Sequence, residues 1–375
     1  MPPSAPLPAP PGKPGPPAGR GPGAPRAPRP PLAAAGAAAL CALALLAFPA
    51  RPSLAGDGPR GETLIYTAAG ATTAALPLLE ALKSGWPGGP SLVEEWKTLD
   101  DLRGLVLAGK GDVWVGHLEA FGRAAAKGAK VELLAVTAWK KFWFLSAPWP
   151  GEEGGAGQAY PADPAGLARL LAARGLPLYA APQSGPATGV LARIASLGGP
   201  SFRVESLPLQ QVLLELASGR ARAALIPEPG VSAALARNPG LRIAGSLEEE
   251  HARIAGGPAR LPQAGVAADA DFARGNPALV EELLALMASG AEACAGLGPE
   301  EAARRLPPTL RRNMGDAVLA ASLARDPVLS VRASEAEEEI RGFLCVAAPE
   351  LCEDGSLPAG FPAGFIRGGG GPRAR

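Results

Sequence analysis

From residue 61 onward, short runs rich in β-branched and aromatic residues alternate with longer stretches of helical periodicity. That alternation predicts α/β units with largely parallel strands, since each helix then serves as the crossover between two strands. Residues 63–67 read as the first strand, 68–71 as a small-residue turn and 72–83 as a helix. Residues 91–96 form the second strand, and Thr98 with Asp101 marks the capped start of a helix through Ala108. Strands follow at 112–116 and 132–138. The run Trp139-Lys140-Lys141-Phe142-Trp143-Phe144-Leu145 continues as strand and is the most aromatic part of the chain.

Residues 148–161 are rich in Gly, Pro and acids and predict an exposed insertion or hairpin near a domain crossing. Asp163-Pro164 supplies an N-cap and first-turn pair for a helix to Arg174, followed by a strand at 178–181. Gln183-Ser184-Gly185-Pro186-Ala187-Thr188-Gly189 then opens a helix to Ser196. Strands at 202–207 and 221–226 flank a helix at 209–218. Pro227-Glu228-Pro229 breaks the second of these sharply, because neither proline can donate to a ladder. Strand patterns resume at 241–244 and 263–268. Asn276-Pro277 caps an amphipathic helix that carries Leu279, Val280, Leu283, Leu284 and Met287 on one stripe. The remainder to Phe343 reads as helical with breaks at Pro307-Pro308, and the Gly/Pro/Arg-rich residues 353–375 read as a disordered tail. No internal repeat is evident.

Charge changes this picture at one end. The 375 residues hold 36 Lys+Arg against 35 Asp+Glu. Residues 1–55, however, carry Lys13, Arg20, Arg26, Arg29 and Arg51 with no acid, and are crowded with proline, which favours extended polyproline II and builds no core. After them, residues 32–48 form an uncharged apolar run. It is short for a membrane span of about 20 residues, but it fits the apolar part of a secretory signal, with Ser53 and Ala55 as small residues at the −3 and −1 positions. Residues 1–55 are therefore expected to be a Pro-rich leader and signal peptide, with an uncleaved membrane anchor or a buried helix as alternatives. Lipidation at Cys41 is not expected, because Leu40 precedes it. Export implies an extracytoplasmic location where disulfides persist. Cys345 and Cys352 lie close enough in sequence to bridge, leaving Cys294 single, against the alternative of three buried thiols.

The near-neutral balance, without Lys/Arg clusters interleaved with aromatics, argues against nucleic acid as a partner. His117 and His251 are the two histidines, which leaves little for a metal site or a triad. The chain has no G-x-S-x-G, no H-E-x-x-H and no Walker loop, and no metal or other cofactor is expected.

Five segments in order resemble the extracytoplasmic solute-binding proteins of ABC importers, in the nitrate/sulfonate/taurine and thiamine-pyrimidine-like branch. They are TLIYTAAGATT, GDVWVG, LPLYAAPQSGPATGV, LASGRARAALIPEPGVSAAL and FARGNPALVEELLALM, spanning residues 63 to about 308. The Q-S-G-P-A turn followed by G-R-A-R-A-A-L-I-P-E-P is the most specific combination. The resemblance implies an α/β, two-lobed type II periplasmic-binding-protein fold with two crossing strands and a ligand cleft between the lobes. The first lobe would take residues 61–145 and 231–345, and the second 146–230. It further implies a small-molecule ligand, anionic or heterocyclic, delivered by a monomer to an ABC permease with its ATPase. A membrane-anchored sensory or accessory module and a pyrimidine-synthase-like enzyme are the alternatives.

General α/β logic agrees on where the site should lie: ligands sit at the carboxyl ends of strands, where helix N-termini attract anions. Gly70, Thr72 and Thr73 in one loop, and Ser184, Gly185, Ala187 and Thr188 in the other, are the expected contacts from the two lobes. His117 ends the third strand at the same edge, and Glu228 faces the cleft or else fixes the hinge. Trp139 is placed to stack on a planar ligand and Lys140 to neutralise an anion; core packing is the competing reading for the aromatics. His251, in Glu248-Glu249-Glu250-His251, is expected to be solvated.

Overall fold

The structure, a computed structural model, describes residues 62–68, 73–88, 91–150, 158–182, 185–306 and 308–368. In the first half the chain runs β1 (Thr63–Ala68), α1 (Leu76–Lys83), β2 (Ser91–Trp96), α2 (Leu99–Leu107), β3 (Val113–His117), α3 (Leu118–Ala126), β4 (Val131–Ala138), β5 (Phe142–Ser146), β6 (Trp149–Pro150), β7 (Gln158–Ala159), α4 (Pro164–Ala173), β8 (Leu178–Ala180) and α5 (Ala187–Ser196). It continues through β9 (Val204–Ser206), α6 (Leu209–Ala217), β10 (Ala223–Pro227), α7 (Gly230–Arg237), β11 (Arg242–Ser246), α8 (Leu247–Ala255), β12 (Ala264–Asp269), α9 (Ala270–Gly275), α10 (Pro277–Ala295), α11 (Pro299–Arg305), α12 (Pro308–Met314), α13 (Asp316–Arg325), β13 (Val331–Arg332) and α14 (Glu337–Ala347).

Local chemistry sets several of these boundaries. Thr98 Oγ1 accepts from the Asp101 amide at 3.1 Å while Asp101 Oδ2 accepts from the Thr98 amide at 2.9 Å, a complete capping box on α2. Asp163 Oδ1 accepts from the Gly166 amide at 2.6 Å, with Pro164 in the first turn of α4. Asn276 departs from its expected capping role. Its side chain donates to the Phe272 carbonyl at 2.9 Å and leaves Pro277 alone to start α10.

Two sheets form the two lobes. The first has the order β13-β4-β12-β3-β1-β2 and the second β11-β5-β10-β8-β9. Strands joined by helical crossovers, such as β1 with β2 and β8 with β9, pair in parallel. The strands that carry the chain between lobes pair antiparallel: β5 with β10 and β11, and β12 with β3 and β4. Period-two burial is visible in β3, where Val113 and Val115 pack with α1 and α10, and Trp114 packs on the opposite face with Leu118 and Phe121. One continuous cluster links the lobes: Trp114 and Phe121 from the first, Phe144 and Val190 from the second, and Ile340, Phe343 and Leu344 of α14 between them.

Four further expectations change. The aromatic run does not continue as one strand. β4 ends at Ala138 and β5 begins at Phe142 in the other sheet, because Trp139, Lys140 and Lys141 make the crossing. The second sheet extends beyond the expected limit of 230, since β11 pairs antiparallel with β5 through Ser246. Residues 353–368 are ordered where a disordered tail was expected: Phe361, Phe365 and Ile366 are buried, and the Arg367 amide donates to the Leu133 carbonyl at 3.0 Å. The Glu248-Glu249-Glu250-His251 run is amphipathic, with Glu248 and Glu250 buried and His251 half-buried. Residues 148–161 do contain a hairpin base, β6 against β7, and Trp149 within it is buried under Arg174 and Arg222. Cys345 and Cys352 form a disulfide, and Cys294 is a buried free thiol. Among the described residues no helix is long and apolar enough to cross a membrane, and the apolar run at 32–48 lies outside them.

Candidate functional site

The two crossings lie side by side at the junction of the lobes. The Gln263 amide donates to the Ala138 carbonyl at 2.9 Å and the Leu261 amide to the Trp139 carbonyl at 2.8 Å, so the outgoing and returning segments extend the β4–β12 ladder into the junction. Glu248, in the first turn of α8, ties them together. Its Oε1 accepts from the Lys141 amide at 2.8 Å, from the Phe142 amide at 3.1 Å and from the Gln263 side-chain amide. Burial pushes the Glu248 carboxyl up to about 7 against those donors, since taking a carboxylate out of water disfavours its charge.

A second group meets the crossing from α13. Asp326 Oδ2 accepts from Thr73 Oγ1 and lies 3.7 Å from Lys141 Nζ, an ion pair longer than a hydrogen bond. Arg325 reaches the other way: Nε donates to Glu228 Oε1 at 2.7 Å and Nη2 to Ser232 Oγ at 2.7 Å. The Ser232 hydroxyl in turn donates to Glu228 Oε1 at 3.0 Å and its amide to Oε2 at 3.1 Å. Burial raises the Asp326 carboxyl, with Lys141 opposing. At the end of β3, burial first, and then the positive charges of Lys141 and Arg103, push His117 down to about 3, so the imidazole is neutral at ordinary pH.

Five buried polar atoms here have no hydrogen-bond partner within the protein: His117 Nδ1, Trp139 Nε1, Lys141 Nζ, Glu248 Oε2 and Gln263 Oε1. Native interiors leave few such groups, and each costs about 1–3 kcal/mol unless something else completes it. Donors and acceptors are both present, so the arrangement can complement a small polar molecule that offers both. Among the described residues no cluster of His, Cys, Asp and Glu is arranged to hold a metal ion. Elsewhere, a groove of about 660 Å³ includes Trp86, Val93, Arg305 and Arg311 in its lining. Its Arg305 is tied to Glu80 and its Arg311 to Asp316, and it shares no residue with the junction.

Of the residues singled out from sequence, Gly70, Thr72 and Ser184 lie outside the described residues. Thr73 and Glu228 are brought together through the adjacent Arg325 and Asp326, and His117 senses Lys141. Trp139 is buried beside the returning segment, with the Arg260 guanidinium 4.5 Å from its ring centroid. Gly185 and Thr188 close their own turn: the Gly185 amide donates to the Pro182 carbonyl at 3.0 Å, and Thr188 Oγ1 to the Gly185 carbonyl at 3.1 Å. Ala187 is buried at the start of α5. Lys140 turns away to pair with Glu249, and its neighbour Lys141 is the buried cation. Sequence reasoning missed Lys141, Glu248, Gln263, Arg325 and Asp326. A paired Lys-Lys at a crossing and three acids opening a helix were the available signals; Arg325-Asp326 carried none.

No family model matches the sequence, and no curated protein matches it. Solved structures do. An ABC transporter from Parabacteroides distasonis superposes with a TM-score of 0.57 at 16% identity, over 82% of this chain and 99% of that one. The periplasmic aliphatic sulphonate binding protein SsuA from Escherichia coli gives 0.56 at 16% identity, over 78% and 87%. The periplasmic nitrate-binding protein NrtA from Synechocystis PCC 6803 gives 0.55 at 14% identity, over 76% and 80%. Two of these neighbours carry sulphonate- and nitrate-binding names that match the branch the five sequence segments resemble, and at such identities the likeness establishes the architecture: the chain has the two-lobed α/β periplasmic-binding-protein fold.

Proposed function

We propose that this protein is the extracytoplasmic solute-capturing component of an ABC importer, working as a monomer that binds a small molecule between its lobes and passes it to a permease driven by its ATPase. The observation that carries the reading is that five buried polar atoms without a hydrogen-bond partner within the protein belong to the two crossings and to the ends of β3 and α8 beside them, which is also where a ligand would bridge the lobes. The fold neighbours named for sulphonate and nitrate binding support the transport class.

The mixture of groups narrows the ligand. Lys141 Nζ and Trp139 Nε1 call for acceptors, while Glu248 Oε2 and Gln263 Oε1 call for donors as long as Glu248 is ionised. Within the anionic or heterocyclic class, this favours an amino-sulfonate or a nitrogen heterocycle over a bare oxyanion such as nitrate. A thermal-shift screen over taurine, alkanesulfonates, nitrate, bicarbonate, pyrimidines and amino acids tests it. A ligand at 100 times its Kd adds about 2.7 kcal/mol, and Lys141→Met is expected to abolish the shift. No shift from any compound at millimolar concentration refutes the proposed solute class, and a shift from nitrate alone refutes the narrower reading.

A further inference from the structure

Arg325 and Asp326 stand at one point of contact between three parts of the molecule. α13 belongs to the first lobe, where Leu319, Ala320 and Leu323 pack with Leu76 of α1 and Cys294 of α10. α7 belongs to the second lobe, where Val231 and Ala234 pack with Leu145 and Ile226 of its sheet. The two helices meet across the junction. There Arg325 spans from the first lobe to Glu228 and Ser232 of the second, and Glu228 is fully buried and bonded through both oxygens. One residue further on, Asp326 holds Thr73, at the start of the chain leading into α1, and the crossing cation Lys141. The Glu228 amide closes the circuit by donating to the Lys141 carbonyl at 3.0 Å.

We propose that Arg325 and Asp326 form an interlobe latch that holds the two lobes together, with Glu228 as its catch in the second lobe rather than a ligand contact. This rests on the reading of the junction as a solute cleft and goes beyond it by naming the residues that set how readily the cleft opens. Glu228 is saturated by Arg325 and Ser232, so a ligand reaching it would have to displace a buried, charge-assisted pair. Asp326 couples the same contact to Thr73 and Lys141, so opening at α13–α7 also releases groups beside the ligand position. The latch residues therefore act on the solute through lobe position and need not touch it.

The test places spin labels at Gln210→Cys on α6 and Ala278→Cys on α10, two exposed positions, one in each lobe, and reads the interlobe distance without ligand. The otherwise unchanged protein is expected to give one short distance. Arg325→Met is expected to add a second, longer population, and Arg325→Lys to restore most of the short one. Because Arg325→Met leaves Glu228 buried and unpaired, the combined Arg325→Met/Glu228→Gln variant removes the orphaned charge and reads the same distance in a protein relieved of that strain. A single short distance in both folded variants overturns the latch. A distance change in a protein that binds no compound of the screen leaves the latch standing and refutes the solute reading. Solute binding with unchanged distances does the reverse.

Discussion

Glu248 offers the sharpest test of the electrostatics at the junction. Its folded-state pKa of about 7 stands above an ordinary 4.5, so the folded protein holds this proton more tightly than the unfolded chain does. Stability from this group is then fully present below about pH 4.5 and is lost as pH rises through about 7. A displacement of about 2.5 pH units corresponds to roughly 3 kcal/mol at 1.36 kcal/mol per unit. Glu119, also buried and pushed up to about 7, adds a second contribution in the same window and with the same sign. Glu248→Gln keeps the shape: its Oε1 can accept from the Lys141 and Phe142 amides, while its Nε2 takes the place of Oε2, which has no hydrogen-bond partner within the protein. Denaturant unfolding of both proteins at pH 5, 6, 7 and 8 is therefore expected to show the wild type losing about 2.5 kcal/mol more stability across the range than the variant. His117 is depressed to about 3 and loses stability in the opposite direction, as pH falls below its ordinary value, but it is common to both proteins and drops out of the comparison. Equal slopes for wild type and Glu248→Gln would refute the assignment of a buried, proton-holding carboxyl.

Other substitutions test the framework that positions the junction. Thr98→Ala removes one half of the α2 capping box and is expected to cost about 1 kcal/mol in unfolding free energy. Leu344→Ala, deep between α14 and the first lobe, is expected to cost about 2–5 kcal/mol, and a loss under about 1 would show that α14 packs loosely. Gly189 sits where a Cβ would come within 2.7 Å of the Ala347 carbonyl oxygen. Gly189→Val is therefore expected to prise α14 from α5 and speed hydrogen exchange in α14 before the rest of the chain, whereas unchanged α14 protection would contradict that contact. Replacing Cys345 and Cys352 together by Ser opens a loop with a sequence separation of 7 and is expected to cost about 2.5 kcal/mol by chain entropy, read as a lowered Tm.

Much of the secondary structure was legible because it follows from local causes. The α2 capping box, the Asp163-Pro164 start, the buried stripe of α10 and the strand at 63–67 all arise within a few residues of themselves, and the alternation of runs records the α/β class. The ordered segment at 353–368 escaped because it is rich in Gly and Pro, while the burial of Phe361, Phe365 and Ile366 depends on a surface made by residues far earlier in the chain.

The junction shows the division most clearly. Local pattern is enough to show that an extended, aromatic segment with two lysines leaves β4, and that small residues and helix starts follow the strands. It could not say which lysine turns inward, because successive side chains of an extended chain point to opposite sides and the choice belongs to the register of β5 in a second sheet. Nor could it bring Arg325 and Asp326 to Glu228 and Thr73, from which they are separated by 97 and 253 residues. Those meetings depend on how α13 docks against α7, a packing event between lobes that no local pattern encodes, and they decide which of the chain's charged residues meet at the junction.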